Sequence, residues 1–267
     1  MTSRTLFAQL TLITLGTLAL TQPTPSTAAQ GHGTDILHYA ARAPFVADAA
    51  VPNASGNMYA TRKEQGHVAA QNLDILVKGL PASSPFKCVA LLKDDPTATP
   101  VALADFSSSS KGTAVLKFRN MQFGNGKSSA VHGGRMPLPS TVDPVTKIAK
   151  VLVTDTNGVT LLTAALSTPP AFSYLVKRSL SSGSVQGLLL ISANTSRATL
   201  AFSGRGFSSD AIYTPFLNGV AGDPFTSTSA GRLSLSVAFD NAADALQLQT
   251  FEVKDSLPAT VLSTTLP

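Results

Sequence analysis

Six residues in one stretch of the chain recur, in the same order and with the same character, one hundred positions later. Val151, Val153, Asp155, Leu161, Leu162 and Leu166 stand against Phe251, Val253, Asp255, Val261, Leu262 and Leu266. Apolar residues alternate before a turn and again after it, the period of a strand with one buried face, so each stretch predicts a hairpin. A constant offset across a turn is restrictive, because one inserted residue would send every following side chain to the opposite face. Asn157-Gly158 is a turn signal, since both residues accept positive φ. Leu257-Pro258 predicts a different turn at the matching place.

The echo extends upstream. Gly112 followed by Thr113 to Phe118 matches Gly231 followed by Arg232 to Phe239, and the stretch Leu73 to Leu80 matches Thr199 to Phe207. The first strand of each copy is expected to begin near Gly56 and Gly187. Short runs of Val, Leu, Ile, Phe and Thr separated by Gly, Pro, Asn, Asp and Ser clusters point to an all-β protein. The expected fold is therefore two tandem β-sandwich, immunoglobulin-like modules derived from a diverged duplication. The boundaries expected are a flexible lead at 30–37, a first module at 38–166, a Pro-rich connector at 167–171 and a second module at 172–267. A Gly-, Ser- and Pro-rich insertion at about 120–141 belongs to the first module alone and is expected to be a surface loop.

Arg4, the apolar run Leu6 to Leu20 and the small residues Ser26 to Ala29 form the pattern of a secretory signal peptide. Residues 1–29 are expected to be removed and the protein to be secreted, periplasmic or displayed at the cell surface. The apolar run is shorter than the ~20 residues a membrane span needs, so no transmembrane segment is expected in the mature chain. Loss of Arg4 lowers the net charge from +5 to +4. Cys88 is the only cysteine, so stability must come from core burial rather than from an internal disulfide. Its neighbours Val89, Ala90, Leu91 and Leu92 imply a buried, inert thiol.

The opening hairpin, Ser55-Gly56 through Gly79-Leu80-Pro81, resembles sandwiches of the superoxide dismutase-like kind over about 25 residues. Those metalloenzymes follow it with closely spaced histidines. Here Phe86-Lys87-Cys88-Val89 offers none.

Several motifs look chemical. Gly124-Asn125-Gly126-Lys127-Ser128 is similar to the end of a phosphate loop but lacks its first glycine and a βαβ setting, so it reads as a loop. His132-Gly133-Gly134 is similar to an oxyanion-hole turn, yet Gly183-Ser184-Val185-Gln186-Gly187 puts valine where a nucleophile elbow needs serine. His32, His38, His67 and His132 show no ligand spacing. Cleavage after Ala29 would place His32 third from a new amino terminus, a square-planar copper or nickel chelate. Asp94-Asp95 and the pair Asp240 and Asp244 read as solvated turn acids rather than calcium ligands. Asn53 and Asn194 open glycosylation sequons, relevant only in a eukaryotic secretory host. No cofactor is expected.

Charge is concentrated between Lys111 and Lys150, where seven basic residues face Asp143 alone. An anionic partner is expected at Lys111, Lys117, Arg119, Lys127, His132 and Arg135. Trp is absent from the chain, which argues against a sugar-stacking platform, and no specific nucleic acid is expected. The first functional expectation is a non-enzymatic structural or adhesion module of the cell envelope or exterior, meeting another envelope protein or polymer. The alternative is a binding protein for an anionic polymer or glycan, and a third is a secreted hydrolase using His132.

Overall fold

The computed structural model describes residues 35–66, 68–93, 99–123 and 134–266. They form a nearly all-β protein, a β-sandwich in the general sense, with antiparallel sheets. The first half supplies β1 (Ile36–Ala47), β2 (Ser55–Gln65), β3 (Val68–Lys78), β4 (Pro85–Leu92), β5 (Val101–Ser107), β6 (Ala114–Phe123), β7 (Ile148–Thr154) and β8 (Thr160–Ala165). The second supplies β9 (Ala171–Ser182), β10 (Val185–Asn194), β11 (Arg197–Arg205), β12 (Ile212–Leu217), the short β13 (Val220–Ala221) and β14 (Phe225–Thr226), β15 (Arg232–Phe239), β16 (Thr250–Asp255) and β17 (Thr260–Thr265).

One long sheet unites the halves, in the order β6-β3-β2-β1-β9-β10-β11-β15. Strict alternation makes one of its faces apolar. Leu37, Tyr39, Ala41, Ala43 and Phe45 of β1, like Phe172, Tyr174, Val176 and Leu180 of β9, are all buried. The opposing layer is β8-β7-β4-β5 from the first half, continuous with the long sheet where Val46 and Ala47 of β1 pair with Thr163 and Leu162 of β8, and the separate sheet β17-β16-β12-β13 from the second. The buried residues of all the sheets join in one continuous hydrophobic core.

The two halves repeat down to single hydrogen bonds. The β7–β8 and β16–β17 hairpins share every register pair at an offset of one hundred, with a bulge after Val153 in one and after Val253 in the other. Asp155 Oδ1 accepts from the backbone N–H of Asn157 and Val159 at 2.9 and 2.8 Å. Asp255 Oδ1 accepts from Leu257 and Ala259 at 2.9 Å each. The two turns share this aspartate frame and still differ as expected: Gly158 N–H also bonds Asp155 O at 3.2 Å, a bond that Pro258, with no N–H, cannot make. Gly112 and Gly231 both adopt positive φ, and a Cβ on either would strike a carbonyl oxygen, that of Leu80 or of Phe207. Ser108 and Ser227 are buried and each stitches the crossing between sheets. The Ser108 hydroxyl donates to Pro81 O and accepts from Ser84 N–H, while that of Ser227 donates to Ser208 O and accepts from Ala211 N–H.

Each half begins one strand earlier than its glycines suggest. β1 and β9 precede Gly56 and Gly187, which lie in β2 and β10. The lead expected at 30–37 thus ends in ordered strand: Ile36 pairs with both neighbours and Leu37 is fully buried. The inserted segment is not simply a surface loop. Residues 120–123 complete β6, and the returning chain lays Met136 beside Phe118 and buries Leu138 and Val142. Strand order also departs from the immunoglobulin pattern, in which strands A-B-E-D and C-F-G pair. Here the first three strands of each half form a meander, because tight turns at Gly66 and at Gly183 keep successive strands side by side.

Candidate functional site

The long sheet has one covered face and one outward face. Because every register in it is unbroken, the outward residues can be read across all eight strands. The first half sends out Arg42, Lys63, Lys78, Lys117 and Arg119, and the second sends out Lys177, Arg197, Arg205 and Arg232. Asp74 is the one acidic residue among the outward positions of these strands. About half of the other outward residues are small, among them Ala40, Ala70, Ser173, Ser192, Thr199, Ala201, Ser203, Ser234, Ser236 and Ala238, and between them stand exposed Tyr59, Leu76, Leu188 and Leu190. Seven of these nine cations are exposed, while Arg119 and Lys177 are half-buried, and together they set one sign of field over the face. With strands about 4.8 Å apart the face is about 34 Å wide.

One row crosses β1, β2, β3 and β6 as Arg42, Tyr59, Asp74 and Lys117. It borders a shallow depression of about 270 Å³, lined also by Asn57, Leu76 and Val115. Tyr59 is half exposed there, and Asp74 keeps Oδ1 buried with no hydrogen-bond partner. In the next row Arg135, carried by the returning inserted segment, donates from Nη1 to Asn72 Oδ1 at 2.6 Å. Its guanidinium thereby joins Arg119 on this face.

The basic run from Lys111 to Lys150 is consequently split among several places. Lys117, Arg119 and Arg135 share the outward face. Lys111 sits in the exposed turn before β6, and Lys150 points outward from β7 on the opposing layer. Lys127, His132, His32 and His67 lie outside the described residues. His38 is exposed in the middle of the basic face, beside Lys63 and Leu175. Among the described residues no group of three or more His, Cys, Asp or Glu side chains could hold a metal ion, and no helix is long and apolar enough to cross a membrane.

A deeper cleft of about 480 Å³ lies on the covered side, where the halves meet. Arg62, Lys93, Thr146 and Lys147 line it from the first half, and Leu246, Leu248 and Leu266 from the second. Lys93 Nζ donates to the Leu246 carbonyl at 3.1 Å. Arg62 pairs with Glu64, Glu64 with Arg178 at 3.3 Å, and Arg178 with Asp35 at 3.4 Å. These partners come from β2, β9 and the residue before β1, so the chain of ions ties the halves together. Its charges cancel within the group, unlike those of the outward face.

Sequence reasoning found Lys117, Arg119 and Arg135 because they lie close in the chain. It missed Arg42, Lys63 and the whole second half, whose cations are separated by strands of polar and apolar residues. No protein-family model matches the chain, and no curated protein matches it.

Proposed function

We propose that this is an exported, non-enzymatic adhesion module of the cell envelope or exterior, made by tandem duplication of one two-sheet unit, which holds an anionic polymer on the outward face of its long sheet. The observation that carries this reading is the nine-to-one imbalance of cations over Asp74 on that face. The whole chain has 20 basic and 15 acidic residues, so acids are sorted away from this surface. A flat field of one sign favours an extended polyanion, which can meet many charges in sequence, over a compact ligand that needs an enclosed pocket. Strand backbones bonded on both sides give the face rigidity.

Binding to an acidic polysaccharide such as alginate or heparin, followed as salt is raised, tests the proposal. Affinity is expected to fall steeply with salt, since exposed charges are screened within about 8 Å at physiological ionic strength. The double variants Lys117→Ser/Arg119→Ser and Arg205→Ser/Arg232→Ser are each expected to weaken binding about tenfold and to flatten the salt dependence. Lys150→Ser, on the other layer, should leave both unchanged. Binding indifferent to salt and to both double variants would remove the support for this reading.

A further inference from the structure

The two ends of the long sheet are not alike. At the β6 end the returning segment caps the edge: Met136 N–H donates to Lys117 O at 2.8 Å, and Arg119 N–H donates to Met136 O at 2.9 Å. At the other end the matching strand is β15, whose Ser236 and Ala238 correspond to Lys117 and Arg119 through the Gly112 and Gly231 turns. The second half has no such inserted segment, and among the described residues no backbone group bonds the outer edge of β15 between Ser234 and Ala238. Arg232 at the start of this strand bonds the Thr228 turn through both its N–H and its C=O, so the even-numbered residues direct their backbone groups away from β11. An edge of this kind is a template for another strand.

We infer that the β15 edge is a self-association surface, on which a second copy of this chain adds its own β15 antiparallel around a two-fold axis at Ser236. The register follows from the charges. With Ser236 opposite Ser236 of the second copy, Ser234 meets Ala238, and exposed Arg232 meets exposed Asp240, twice by symmetry. That acid also answers the like-charged contact of Arg232 with Arg205 across β11. On the inner face the same register sets half-buried Leu235 beside Val237, and Leu233 beside half-buried Phe239, extending the apolar layer. The chain already contains a contact of this type. β1 and β9, the matching strands of the two halves, pair antiparallel with Tyr39 directly opposite its own counterpart Tyr174.

Sedimentation equilibrium and light scattering on the full mature chain test the inference, with circular dichroism as a check of folding. The wild type is expected to dimerise reversibly as concentration rises. Ser236→Pro removes an N–H that the β11 ladder does not use, which edge strands tolerate, and should give a folded monomer. Asp240→Arg, a surface change that leaves folding intact, should weaken dimerisation about tenfold, and Arg232→Asp added to it should restore it. A wild type that stays monomeric at the highest soluble concentration overturns the inference. So does a dimer that survives both Ser236→Pro and Asp240→Arg, because its contact would then lie elsewhere. Neither result depends on polysaccharide binding.

Discussion

Cys88 sits in β4 with no solvent exposure, and burial pushes its thiol up from 9.0 to about 12. In the unfolded chain the thiol ionises at its ordinary value, so the stability its neutral form contributes is complete below pH 9 and is lost as pH rises towards 12. Burial also raises the phenols of Tyr39 and Tyr174 above their ordinary 10.0, which adds to the same loss. The native protein should resist thiol reagents at pH 8, reacting only once unfolded. Its Tm should fall progressively above pH 9, less steeply in Cys88→Ala; fast labelling of the native thiol would contradict this. The burial of Cys88 was legible from its apolar neighbours. The roles of Ser108 and Ser227 were not, because in a serine-rich chain nothing local marks the two that become buried.

At the level of elements, the terminal hairpins show which signals the two halves share. Asp155 and Asp255 hold the same pair of backbone donors, and positions 158 and 258 both lie at positive φ, in one case glycine at 86° and in the other proline at 24°. Gly158 N–H bonds the Asp155 carbonyl at 3.2 Å, whereas Pro258 has no N–H to offer Asp255. Asp155→Ala and Asp255→Ala should each destabilise the protein by about 1 kcal/mol, since each removes the acceptor of two turn N–H groups. A lower denaturant midpoint with unchanged slope would be the readout, and an unchanged midpoint would refute the assignment. The aspartates were visible in the sequence, whereas the frame of hydrogen bonds they share was hidden behind different turn residues. β1 escaped sequence reading because Pro44 and four alanines disguise it. In the fold, the β1–β9 ladder has already ended at Arg42, so the missing N–H of Pro44 breaks no rung there.

Over the whole molecule, the continuous sheet and shared core predict one cooperative heat transition, with calorimetric and van't Hoff enthalpies in agreement. Two separated transitions would indicate halves that fold independently. The hairpins and the repeat could be read from the chain because each is local or set by a fixed offset. The basic face could not, since its members run from Arg42 to Arg232 and only strand pairing brings them onto one surface. The place of β1 has a mechanical consequence. Ten register pairs with β2 and seven with β9 hold this strand in the middle of the sheet, whereas β17 is held by one ladder of five pairs. A pull entering through Ile36 must shear two ladders at once, while the same force entering through Thr265 meets only one, so a tethered protein of this design resists tension far better from its amino-terminal end.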